Sequence, residues 1–83
     1  MYRVTLTKVA RKQLDDLPDE IVTRILARLE QLKSNPRPPD VKKLKGREAW
    51  RIRSGDYRVI YTIQDKDLMV LVIRVGHRRD IYR

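Results

Sequence analysis

The chain has 83 residues, no cysteine, one histidine and a formal net charge of +9. That length fits one domain, residues 1–83, which buries only roughly 60% of the surface its unfolded chain exposes. The composition excludes disulfide staples and thiolate metal sites; without CxxC or HExxH, no metal-centred mechanism and no cofactor are expected. Neither a signal peptide nor a long apolar span is present, which points to the cytoplasm and away from the membrane.

Residues 2–7 alternate Tyr2, Val4 and Leu6 against Arg3, Thr5 and Thr7, the period of a half-buried strand. Thr7 can cap a short helix in which Ala10, Leu14 and Leu17 share one face. Pro18 stops that helix and can open the next, with Asp19 and Glu20 at its positive end. There Ile21, Val22, Ile25, Leu26, Leu29 and Leu32 form a broad apolar stripe. The two helices make a hairpin that can lie across a sheet.

Residues 35–40 (NPRPPD) end the helix and set a stiff, extended connector. Residues 41–47 (VKKLKGR) read as a basic loop or edge strand. From Glu48 the period becomes two. Trp50, Ile52 and Ser54 oppose Ala49, Arg51 and Arg53, and Tyr57, Val59, Tyr61 and Ile63 oppose Arg58, Ile60 and Thr62. Turns are expected at residues 54–56 and 64–67, and the apolar run 68–75 reads as a central strand beside the first. The fold class is α+β in the order β-α-α-β-β-β: a small, mostly antiparallel four-stranded sheet with a two-helix hairpin on one face.

Residues 1–40 hold 8 Lys/Arg against 6 Asp/Glu, whereas residues 41–83 hold 12 against 5. The basic excess therefore lies on the sheet half, which favours nucleic acid or an acidic partner over a membrane surface. Arg51 and Arg53 share one strand face, and the parity of Arg58 lets it join them where no helix covers the sheet. Three guanidiniums there repel one another, and a phosphate relieves the repulsion because each planar fork can hold two of its oxygens. Ordinary solvent-facing arginines paired with Asp56, Asp65 or Asp67 are the alternative. Lys42, Lys43, Lys45, Arg47, Arg74 and Arg79 supply further cations for RNA.

The chain ends VGHRRDIYR, directly after the central strand. His77 and Arg78 are thus expected at the end of the sheet that carries the arginines, with Tyr82 close behind. A solvated tail is the plain reading. The alternative is metal-free RNA cleavage, which needs a 2′-hydroxyl deprotonated, a phosphorane stabilised and a leaving 5′-oxygen protonated. Arginine cannot be the base because it stays charged, so His77, Tyr82 or a depressed lysine must move the proton. Tyr82 can also stack on a base; Trp50, Tyr57 and Tyr61 lie on the apolar parity and read as core.

The segments NPRPPDVKKLKG, WRIRSGDYRVIYTI and VLVIRVGHRRDIYR resemble the RelE family of bacterial and archaeal toxins, within the RelE/ParE superfamily. The match covers nearly the whole chain and is strongest in the last 45 residues. The resemblance implies a type II toxin that enters the ribosomal A site and cuts mRNA by 2′-hydroxyl attack without a metal. On that pattern Arg51, Arg53, Arg58, Arg78 and Tyr82 match functional positions, and His77 stands where members carry lysine or histidine. Well-known members have lysine at the positions of Arg51 and Arg53, so the base option there is lost. The resemblance further implies an acidic antitoxin wrapping the sheet and helices, the 70S ribosome and mRNA as partners, and operator DNA only through the antitoxin complex. Many members continue into a C-terminal helix, and this sequence stops at Arg83. A gyrase-directed ParE-like toxin and a non-catalytic RNA- or ribosome-binding module are the alternatives.

Overall fold

The alternation at the N-terminus forms strand β1 (Arg3–Leu6) in the structure, a computed structural model that describes residues 1–81. Thr7 then caps α1 (Lys8–Asp15), its hydroxyl oxygen accepting from the Ala10 amide at 3.1 Å. Ala10 and Leu14 of α1 are buried, and Pro18 stands just ahead of α2 (Asp19–Ser34). Asp19 and Glu20 in the first turn of α2 complement its dipole. Ile25, Leu29 and Leu32 carry the buried stripe, whereas Leu26 lies at its rim, 48% exposed.

The remaining strands are β2 (Lys42–Lys43), β3 (Trp50–Ser54), β4 (Tyr57–Gln64) and β5 (Met69–His77). Their order across the sheet is β1-β5-β4-β3-β2. β1 runs parallel to β5, with Arg3 opposite Met69 and Leu6 opposite Val72; the other neighbours are antiparallel. The sheet is therefore five-stranded and mixed, not four-stranded as the periodicity predicts. The added strand is the basic stretch, and two residues are too few to show a period. The run 68–75 also shifts: Leu68 leaves the strand, adopts a left-handed conformation (φ 51°) after the 3₁₀ turn Asp65–Asp67, and is 47% exposed. β5 is an interior strand, as expected.

Both helices cover one face of the sheet. Their apolar residues meet Ile52, Val59, Tyr61, Val70, Val72 and Val75 in the main core. Core residues of β5 break step between Val72 and Val75 because of a β-bulge. Ile60 is opposite Arg74 while Tyr61 is opposite Val72, leaving Ile73 as the extra residue. Strict alternation behind Val70 and Val72 would bury Arg74 among the helices. The bulge instead returns Val75 to the core and puts Arg74 level with Ile60.

The proline connector is tied to this frame. Tyr61 is fully buried, and its hydroxyl donates to the Pro36 carbonyl at 2.7 Å; burial pushes its pKa well above the usual tyrosine range. Arg37 makes a two-pronged contact with Asp65 at 3.2 and 2.9 Å, and its guanidinium lies 5.0 Å from the centre of the Trp50 ring. Tyr2 donates to the same carboxylate at 2.6 Å. Arg37 first, and then Tyr2, hold the Asp65 carboxyl down at about 2.

Candidate nucleic-acid interface

Register partners in a sheet share a face, so the pairing of the strands places each candidate residue. One row crosses four strands: Lys42, Arg51, Ile60 and Arg74. The next row holds Arg53, Arg58 and Gly76. Ile52 and Val59, between those rows, point into the main core, so the two rows point away from the helices. The surface opposite the helices thus gathers Lys42, Arg51, Arg53, Arg58 and Arg74. Arg53 is exposed, while Arg51, Arg58 and Arg74 are half-buried. Arg58 also donates to the carbonyls of Gly55 and Tyr57 at 3.2 and 3.4 Å, which holds its guanidinium beside the β3–β4 turn.

This surface has its own small apolar centre. Ala49, Ile60 and Ile81 are buried together, with Leu44 and Ile73 packed against them. Ile81 comes from the tail and lies over Gly76: a Cβ there would sit 3.5 Å from Ile81 Cδ1. The tail turn is therefore anchored through Ile81 and its backbone, while the side chains of Arg78, Arg79 and Asp80 stay exposed. The Arg78 amide donates to the Asp56 carbonyl at 2.8 Å, and the amides of Asp80 and Ile81 donate to the His77 carbonyl at 2.8 and 3.1 Å. Sequence reading overlooked Ile81, whose only signal is that it is the one apolar residue between Val75 and Tyr82.

Other predicted residues lie elsewhere. Lys43 is opposite Trp50 and turns to that ring, 5.7 Å from its centre, and pairs with Glu48 at 3.3 Å; it belongs to the helix side. Lys45 and Arg47 are exposed in the β2–β3 connection, where Gly46 takes a positive φ. Arg78 and Arg79 are exposed on the tail turn. His77 is opposite Tyr57, its ring edge-on to that phenol at 5.5 Å. It lines a cleft of about 350 Å³ together with Gln13, Asp16 and Leu17 of the helical layer. His77 thus stands at the end of the sheet, as expected, but its ring lies on the helix side rather than in the arginine rows. The bulge after Val72 reverses the facing of everything beyond it and sends the imidazole to the opposite side. Tyr82 lies outside the described residues.

Of the aromatics assigned to the core, Tyr61 is fully buried, and Trp50 and Tyr57 are half-buried against it. Among the described residues, no cluster of three or more His, Asp or Glu side chains could hold a metal ion, and no helix is long and apolar enough to cross a membrane.

Fold and surface together define a small basic α+β domain with two helices on one sheet face and a cationic, helix-free face opposite. Such a domain has relatives. The chain belongs to the family described as the ParE toxin of type II toxin–antitoxin systems, which it matches over residues 4–82. It is similar to the toxin RelG of Mycobacterium tuberculosis, 35% identical over 86 residues that span 99% of this chain and 97% of that one. Its fold is that of RelE in the archaeal RelE–RelB complex from Pyrococcus horikoshii. There the TM-score is 0.83 at 35% identity, covering 95% and 97% of the two chains. The intact RelBE toxin–antitoxin complex of E. coli gives a TM-score of 0.81 at 28% identity, covering 93% and 96%.

Proposed function

We propose that this RelE/ParE-type toxin is a metal-independent endoribonuclease that cuts mRNA in the A site of the 70S ribosome. The observation that carries the reading is the convergence of Lys42, Arg51, Arg53, Arg58 and Arg74 on one helix-free sheet face. A single-stranded backbone laid on that face meets fixed positive charge at several phosphates. In the reaction a 2′-hydroxyl attacks the adjacent phosphate, the guanidiniums stabilise the dianionic phosphorane, and the 5′-oxygen leaves with a proton. Donors already in place at the developing charge are typically the largest catalytic contribution. Arg51, Arg53, Arg58 and Arg78 take that role, and Lys42, Lys45, Arg47, Arg74 and Arg79 bind flanking RNA. The proton steps fall to Tyr82, and a correctly placed proton carrier is worth roughly 10²–10⁴-fold.

The same charge suits a cognate antitoxin. An acidic segment wrapping sheet and helices would compete with RNA for the cationic face, and opposite charge would speed its encounter. Operator DNA would be met only through that complex, and the site of action would be the cytoplasm. Mapping mRNA ends after adding the protein to a translation extract tests the proposal: cuts within A-site codons support it, and intact messages refute it. The ParE description of the matched family favours a second reading, inhibition of gyrase. Loss of DNA supercoiling with intact mRNA would select that reading.

A further inference from the structure

The tail turn contains one side-chain contact that bears on the proton steps. The backbone amide of Arg79 donates to Nδ1 of His77 at 3.2 Å. An amide nitrogen is only a donor, so Nδ1 is the acceptor and the neutral ring carries its proton on Nε2. The one basic lone pair of the imidazole is therefore already engaged inside the turn. The His77 carbonyl meanwhile accepts from the amides of Asp80 and Ile81, and the ring rests edge-on against Tyr57. His77 is thus the hub of the turn that carries the chain from the helix side of β5 to Ile81 on the arginine side.

We propose that His77 is a positioning residue that folds residues 78–81 onto the arginine face and carries no proton in the reaction. The inference rests on the endonuclease reading for its consequence in catalysis, and on the geometry alone for the turn. The contact from Nδ1 to the amide two residues on is the one that an asparagine carbonyl makes in an Asx turn. His77→Asn can therefore keep the turn while removing the titratable ring, whereas His77→Ala removes both.

Two readouts separate the roles: mRNA cleavage in a translation extract, and trypsin cleavage after Arg78 and Arg79 of the free protein. With His77→Asn, both should match the wild type, and the pH profile of mRNA cleavage should run parallel to it. With His77→Ala, the tail should become trypsin-sensitive and mRNA cleavage should fall, by on the order of 10²-fold for a displaced catalytic group. Loss of cleavage in His77→Asn with a resistant tail would overturn the proposal by making the ring a proton carrier. A resistant tail in His77→Ala would overturn it by removing the positioning role. If the wild type cuts no mRNA, the endonuclease reading falls, and the trypsin comparison alone decides whether His77 orders the turn.

Discussion

Replacing Arg53 with alanine removes one guanidinium from the face opposite the helices. Its side chain is exposed and its strand neighbour Ile52 is fully buried, so the fold should not register the loss. Among the described residues, five cations share the β2–β5 part of that face: Lys42, Arg51, Arg53, Arg58 and Arg74. Each phosphate contact to single-stranded RNA contributes about 0.7 to the slope of log affinity against log salt. Five contacts give a slope near about −3.5, so raising salt from 50 to 200 mM should weaken binding on the order of 10²-fold. With four contacts the slope is about −2.8 and the loss about 50-fold. A single-stranded oligoribonucleotide titrated at several salt concentrations, followed by fluorescence anisotropy, reads both slopes. A wild-type slope near zero would refute phosphate binding on this face. Weaker binding by Arg53→Ala at an unchanged slope would indicate a damaged fold instead.

Tyr61→Phe deletes a buried hydroxyl and leaves the Pro36 carbonyl without that donor, which costs about 1–3 kcal/mol. At about 2 kcal/mol the melting temperature of a domain this size should fall by about 8–16 °C, read by circular dichroism, and an unchanged melting temperature would show the contact to be unimportant. Asp65, held at about 2 chiefly by Arg37, is depressed below its unfolded value. Its stabilising effect is therefore complete above about pH 4 and fades as the pH falls towards about 2. Asp65→Asn should flatten the acid limb of the stability curve in that window, and an identical limb would contradict the ion pair.

Much of this architecture was legible because periods of 3.6 and 2 report on which residues meet the core. The Thr7 cap, the stop at Pro18 and the stripe through Ile25, Leu29 and Leu32 all follow from side-chain chemistry within a few residues of each position. The parity of residues 51–60 likewise placed Arg51, Arg53 and Arg58 on one face. β2 was legible only as one of two options, loop or edge strand, since a strand of two lysines is defined only by its partner across the sheet. The bulge was harder still, because alternation says nothing about where an extra residue falls. Arg74 held the hint: it stands at the buried parity behind Val70 and Val72, where an arginine is costly unless paired. That single residue decides the side of His77. The docking of Ile81 was hidden for another reason, since one isoleucine among charged neighbours has no period to betray it.

The account stands on the arginine face cutting mRNA held by the ribosome. The most direct measurement maps cleavage ends on two versions of one message in the same translation extract, one with its start codon and one without. The account predicts cuts within codons of the translated message only, lost when Arg51, Arg53 and Arg58 are replaced together by alanine in a protein that still folds. Equal cutting of both messages, or cutting that survives the triple substitution, would contradict it.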